Sequence, residues 1–189
     1  MSKFADYSPE SGRSRRLTAT DGLRIRASDE PDLALVAEIA AEREGESPEE
    51  WRSRLAHLQE QIRAGRAELL VAELGDIVIG YGTIAFFSPP PGSPDNVAPE
   101  GWYLAGLVVR SAHRRRGVGH ELTLARLAWI AARSKKAYYF ANERNRASIE
   151  LHAAAGFTEL SRDFHHPAVR FSDGGGILFE CDLRQGPKE

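Results

Sequence analysis

Three arginines and two glycines, Arg114-Arg115-Arg116-Gly117-Val118-Gly119, follow the apolar run Leu107-Val108-Val109 and precede a long helical pattern. A strand, a basic glycine turn and a helix start together suit a phosphate. The glycines let the chain turn sharply and bring backbone N–H groups close to a ligand. The helix start adds unpaired N–H groups and the positive end of its dipole, and the arginines screen phosphate charge at the rim. Three phosphate-binding patterns compete here. A P-loop requires Gly-Lys-Ser/Thr, which is absent. A dinucleotide fingerprint requires a third glycine where Leu122 stands, and an opening βαβ unit that this chain lacks. An Arg/Gln-x-x-Gly-x-Gly turn fits as Arg114-x-x-Gly117-x-Gly119, with a plain basic helix cap as the alternative.

A second constellation begins 26 residues after Gly119, at Asn145-Arg-Ala-Ser148-Ile-Glu-Leu151-His152-Ala-Ala-Ala-Gly156-Phe157. With both motifs in this order and at this separation, the sequence resembles the GNAT superfamily of acyl-CoA-dependent N-acyltransferases. The resemblance spans roughly residues 23–183 in element order. It implies an α/β (α+β) fold: a central mixed, mostly antiparallel sheet of six to seven strands flanked by about four helices. It also implies that backbone groups of Arg114, Arg115, Arg116, Gly117, Val118 and Gly119 bind the pyrophosphate of acetyl-CoA. Val109, at the splayed end of its strand, would offer backbone groups to the pantetheine arm and thioester carbonyl, with Leu107 as a further cofactor contact. Asn145 would reach the pantetheine through its side chain.

At position 152 the family usually places a tyrosine that protonates the departing thiolate, and this chain has His152. A histidine of ordinary pKa, about 6.5, can donate that proton. The plain alternative is a packed residue, with water protonating a thiolate whose conjugate acid has a pKa of about 8.5. The family's base often lies six residues before the Val109 position, where Tyr103 stands, with Ala105 two residues on. Tyr103 is expected to orient a water that relays the proton, with Glu100, Glu73 or Glu42 beyond it, or else to be a half-buried strand aromatic. Without a base, catalysis rests on orientation, with bulk water taking the proton. His165-His166 does not read as a metal site, because adjacent strand side chains point to opposite faces and no third ligand is evident. Cys181, in an apolar run, reads as core. No metal is expected.

These residues need elements to hold them. Leu23 to Ala27 alternates as a strand, and Leu33, Val36, Ala37 and Ala40 recur at helical spacing up to a stop at Gly45. Ser47-Pro48-Glu49-Glu50 caps a second helix that runs to about Ala64. Glu68–Leu74 and Ile77–Phe87 form a hairpin around Gly75-Asp76. A proline-rich stretch, 88–99, is a long loop, either a lid on the acceptor site or a surface excursion. Trp102–Val109 is a strand, and a helix runs from the glycine turn to about Ser134, apolar on two sides as suits a crossover on a sheet. Ala137–Ala141 is a strand, Asn145–Ala155 a helix ended by Gly156, and 158–165 and 176–183 two closing strands joined by an Asp-Gly-Gly-Gly turn. The expected organisation is a disordered lead-in over 1–16, one acyltransferase domain over 17–184 and a tail over 185–189.

The chain has 189 residues, 42% of them hydrophobic, enough for one core and too many for a wholly disordered protein. No apolar run approaches the roughly 18 residues of a membrane span, and the first residues do not read as a secretory signal. One cysteine cannot form an internal disulfide. A cytoplasmic location is expected. The net charge of −2 hides a polarity. Residues 29–64 carry ten acidic and four basic side chains, and residues 101–146 carry two and ten. The basic segment suits the cofactor's phosphates and the acidic helices suit a cationic acceptor. The expectation is an N-acetyltransferase that moves acetyl from acetyl-CoA to a primary amine of a small cationic acceptor by direct attack in a ternary complex. Two alternatives stand beside it, a non-catalytic CoA-binding module and an acetyltransferase for protein amines. No nucleic acid or membrane partner is expected, since the arginines lack interleaved aromatics, and a homodimer is left open.

Overall fold

A computed structural model describes residues 15–44, 47–171 and 174–185. The lead-in over 1–14, the helix stop at Gly45, Asp173 of the glycine turn and the tail over 186–189 lie outside the described residues. The elements run β1 (Leu23–Ala27), α1 (Asp32–Glu44), α2 (Pro48–Arg63), β2 (Ala67–Leu74), β3 (Ile77–Phe87), β4 (Gly101–Val109), α3 (Val118–Ala131), β5 (Lys136–Asn142), α4 (Arg146–Ala154), β6 (Thr158–Ser161) and β7 (Gly176–Asp182). Local chemistry sets the helix starts. Ser47 accepts from the Glu50 N–H at 3.4 Å while the Glu50 carboxylate returns a bond to the Ser47 N–H at 3.0 Å, a reciprocal cap. Asn145 caps α4 by accepting from the Ser148 N–H at 3.2 Å.

The sheet order is β1-β2-β3-β4-β5-β7-β6, antiparallel except for β4 and β5. That parallel pair meets only at Tyr103 and Tyr138. Helices α3 and α4 cover one face, where Leu104, Leu127, Ile130, Tyr139, Phe157 and Phe179 share a core cluster. Helices α1 and α2 cover β2, β3 and the end of β4 on the other face, through Val36, Ile39, Leu69, Val71 and Val108. Each such fully buried aliphatic side chain contributes about 1.5–3 kcal/mol of burial free energy.

Among the described residues, no helix covers the second face over β4, β5 and β7 beyond Tyr103, Tyr138 and Leu178. Two loops do so instead. The stretch from 88 to 100 bonds to the one after β6: the Ala98 N–H donates to the His165 carbonyl at 2.8 Å and the His165 N–H to the Asn96 carbonyl at 2.9 Å. Asn96 Nδ2 also donates to Asp163 Oδ1 at 2.7 Å. Phe87, Phe140, Phe164 and His166 pack beneath. The strand expected over 158–165 therefore ends at Ser161, where the Ser161 hydroxyl bonds the Asp163 backbone and bends the chain toward the proline-rich loop.

A β-bulge in β4 decides which residues can meet. Gly82 pairs with Leu107 and Ile84 with Leu104, so Ala105 and Gly106 stand opposite Thr83 alone. Strict alternation would put Tyr103, Leu107 and Val109 on one face. The extra residue breaks the phase: Tyr103 packs under the two loops, whereas Leu107 and Val109 pack toward Val118 and Leu122 of α3.

Candidate active site

The loop after β4 is shaped by two left-handed residues, Arg115 at φ 60° and Gly117 at φ 82°. Arg115 is the one described non-glycine residue in that region. Such a conformation in a side-chain-bearing residue is strained, and successive turns of this kind gather N–H groups into an anion-binding hollow. The N–H groups of Gly117, Val118 and Gly119 have no acceptor among the described residues, as expected for the first turn of α3. A Cβ at Gly119 would sit 3.6 Å from Leu151 and 3.7 Å from Leu107, ordinary contact distances, so this position has room for a small side chain.

The strand that feeds the loop turns its backbone toward the β4–β5 gap. The Arg110 N–H donates to the Ile79 carbonyl at 2.9 Å, so the hydrogen-bonded pairs of the ladder fall at Arg110 and Val108. The backbone groups of Val109 and Leu107 consequently point away from β3, into the gap. Arginine side chains hold their carbonyls: Arg43 Nη1 donates to Leu107 at 3.1 Å and Arg114 Nε to Val109 at 3.0 Å. Asn145 stands at the start of α4, where its Oδ1 accepts from the Ser148 N–H as the cap.

His152 is 3% exposed. Its Nδ1 lies 2.8 Å from the Ser148 carbonyl. A carbonyl only accepts, so Nδ1 carries the proton and Nε2 is a bare acceptor. Nε2 is buried with no hydrogen-bond partner. Burial, and then the charge of Arg126, push the imidazole pKa down to about 3. His152 is thus held neutral, with its one N–H already used, which is the opposite of what a proton donor requires. Tyr139 lies against it, its hydroxyl 2.6 Å from Ser148 Oγ.

Tyr103, the other expected catalytic residue, is also 3% exposed, and its hydroxyl donates to the Pro99 carbonyl at 2.7 Å. Burial, then Tyr138 beside it, raises its pKa. It lies on the far side of the bulge from Leu107 and Val109. The carboxylates expected behind it are engaged elsewhere: Glu73 with Arg26 at 2.7 Å, Glu42 with Arg110 at 3.6 Å and Ser111 at 3.2 Å, and Glu100 with Ser88. Among the described residues no group of three His, Cys, Asp or Glu side chains could hold a metal.

Three residues escaped the sequence reading. Arg16, assigned there to the lead-in, crosses the loop at Gly117 and donates to Glu121 at 2.7 Å, while the Leu17 N–H bonds the Arg116 carbonyl at 2.8 Å. No spacing pattern signals this. Arg43 is hidden among the charges of α1. Arg126 had a legible signal: it stands four residues after Leu122 and four before Ile130, on the face of α3 that is fully buried.

The sequence matches the model of the acetyltransferase (GNAT) family over residues 34–157. The chain belongs to that family. As a GNAT enzyme it is an acetyl-CoA-dependent acetyltransferase, and its mixed, mostly antiparallel seven-stranded sheet with four helices is the fold expected from the two motifs. Solved structures share that fold. YncA of Salmonella typhimurium, solved with its cofactor acetyl-CoA, is 25% identical, with 85% of this chain and 94% of that one covered at a TM-score of 0.62. The ribosomal-protein-alanine N-acetyltransferase of Brucella melitensis is 23% identical, covering 85% and 99% at 0.65. The PaiA N-acetyltransferase of Thermoplasma acidophilum, in complex with coenzyme A, is 15% identical, covering 85% and 98% at 0.62. A search of curated protein sequences returned no match. No described helix of this GNAT protein is long and apolar enough to cross a membrane.

Proposed function

We propose that this GNAT enzyme acetylates a primary amine of a small acceptor by direct attack within a ternary complex. The observation that carries the reading is the β4–β5 gap: a parallel pair joined at one residue, with the backbone of Leu107 and Val109 turned into the opening and unpaired N–H groups of Gly117, Val118 and Gly119 at its head. In this reading the pyrophosphate of acetyl-CoA sits on the turn from Arg114 to Gly119, where dipole and arginines favour it. The pantetheine arm follows Leu107 and Val109, replacing the Arg43 and Arg114 contacts with its own amides, and Asn145 Nδ2 donates to it.

The amine lone pair attacks the thioester carbon and the carbonyl π pair moves to oxygen. Collapse of that intermediate breaks the C–S bond, and the sulfur leaves with the pair. The attacking nitrogen loses one proton to water, and the thiolate takes one from water. This accounting uses no side-chain base or acid. It fits a neutral His152 and a Tyr103 whose hydroxyl is tied to Pro99. Without a base, an α-amine of pKa about 7.7–8.0 is a far better acceptor than a lysine-like amine at about 10.4. That preference keeps a protein α-amine as the nearest alternative acceptor, and the Brucella neighbour is named for a ribosomal-protein alanine. The cationic acceptor loses some support, because Arg110 lies against both Glu38 and Glu42 of α1.

The second reading, a CoA-binding module without turnover, is favoured by the same neutral His152. Release of thiol from acetyl-CoA over a panel of amines, with calorimetry of acetyl-CoA binding, separates the two. Turnover that rises as each amine deprotonates supports the enzyme, and tight binding with no turnover on any amine overturns it.

A further inference from the structure

Arg126 is a fully buried cation that neither motif involves. Its side chain is 0% exposed and has no carboxylate partner among the described residues. A buried charge without a counter-ion is retained only where many dipoles solvate it. Arg126 Nη1 donates to the Ala105 carbonyl at 2.9 Å and reaches the Thr83 carbonyl at 3.5 Å. Nε donates to the Leu122 carbonyl at 3.2 Å and Nη2 to Thr123 Oγ1 at 3.1 Å. Ala105 and Thr83 face each other across the bulge, where the register of the ladder shifts. The guanidinium fork reaches both carbonyls from α3. Gly82 leaves the space, since a Cβ there would fall 3.0 Å from Arg126 Cδ and Nε.

The next peptide is held as well, its Gly106 carbonyl accepting from Thr83 Oγ1 at 3.4 Å. A trans peptide carries its N–H opposite its carbonyl. The Leu107 N–H therefore points away from Thr83, into the β4–β5 gap, and its direction follows from how the bulge is fastened.

We propose that Arg126 is a positioning residue for acyl transfer: by gripping Ala105 and Thr83 it fixes the peptide plane from which the Leu107 N–H meets the thioester carbonyl, and it places an uncompensated positive charge behind that N–H. The proposal rests on the transferase reading above. Charge that develops on the carbonyl oxygen would then meet a preorganised donor in a low-dielectric setting, where such donors act most strongly.

The test compares the parent with Arg126→Met, which has similar length without charge or donors, and Arg126→Lys, which keeps the charge without the fork. Three quantities are read: acetyl-CoA affinity by calorimetry, the NMR resonance of an isotope-labelled thioester carbonyl in the bound cofactor, and kcat by thiol release. In Arg126→Met, affinity should stay within about threefold because the phosphate turn is untouched. The carbonyl resonance should return toward that of free acetyl-CoA, and kcat should fall about 100-fold. Arg126→Lys should recover part of both. A folded Arg126→Met protein with parent-like resonance and kcat overturns the proposal, as does one whose affinity falls as far as its kcat. Should Arg126→Met not fold, Gly82→Ala crowds the Arg126 side chain with one methyl group, 3.0 Å from its Cδ and Nε. It should shift the carbonyl resonance and lower kcat about tenfold, and no change in either overturns the proposal. A parent that polarises the bound carbonyl yet turns over no amine contradicts the transferase reading, while the role of Arg126 is still decided by the resonance in its variants. A parent that does not bind acetyl-CoA overturns both.

Discussion

His152 lies flat on Tyr139, with ring centroids 3.7 Å apart and planes 9° from parallel. The stack fixes the imidazole edge-on to the Ser148 carbonyl, and the phenol is fixed in turn by its bond to Ser148 Oγ. One serine of α4 thus anchors both rings, and the tautomer of His152 follows from that anchoring. A tyrosine at the same place would present a hydroxyl that both donates and accepts, whereas this histidine offers a lone pair only.

The depressed pKa of His152 makes a stability prediction with a definite sign. Folding lowers it from the ordinary 6.5 to about 3, so between those values the unfolded chain binds the extra proton. Stability from this residue is complete above about pH 6.5 and is lost as pH falls toward 3, with a slope of up to about 1.4 kcal/mol per pH unit. His152→Phe, which retains the stack, should show a shallower loss in urea unfolding across that window. Parallel stability curves for the two proteins would mean that the imidazole titrates normally in the fold.

The same residue makes a kinetic prediction. Because His152 stays neutral, kcat/KM should rise with pH along the deprotonation of the acceptor amine and show no further limb near 6.5. His152→Phe should leave that shape intact and lower kcat less than about tenfold. A limb near 6.5 in the parent that the variant lacks would restore His152 as an acid.

Tyr103→Phe removes only the hydroxyl that bonds Pro99. The expected cost is about 1 kcal/mol of stability, the usual net worth of such a bond, with kcat and acetyl-CoA affinity within twofold of the parent. A tenfold loss of kcat at unchanged affinity would put Tyr103 back in the mechanism.

At the head of the gap, Gly119→Asp would set a carboxylate beside the phosphates. The site has room for a Cβ, with Leu151 and Leu107 the nearest atoms, so the melting temperature should change little. Acetyl-CoA affinity should drop by at least about 100-fold through charge and bulk. Parent-like affinity would place the pyrophosphate elsewhere.

The element order was legible because its signals are local: the reciprocal cap at Ser47 and Glu50, the Gly75-Asp76 turn, the glycines of the phosphate turn and Gly156 after α4. The face on which Tyr103 lies was not legible. Alternation places it with Val109, and the bulge at Ala105 and Gly106 that reverses this leaves no local mark beyond a glycine. Of the two expectations for His152, proton donor or packed residue, sequence alone could not choose, because its burial comes from Tyr139 and Phe157 and the nearby charge from Arg126 of α3, all outside its own motif or brought there by the fold. Likewise the proline-rich stretch gave no hint of its partner. It pairs with Asp163 and His165 because β4, β5 and β7 leave a face that no described helix covers.

Amide NMR during a titration with acetyl-CoA tests the cofactor slot most directly. The N–H resonances of Leu107, Gly117, Val118 and Gly119 should move together and saturate with a single affinity, while those of β1 and β2 stay in place. Saturating acetyl-CoA that leaves these four unmoved would contradict the slot between β4 and β5.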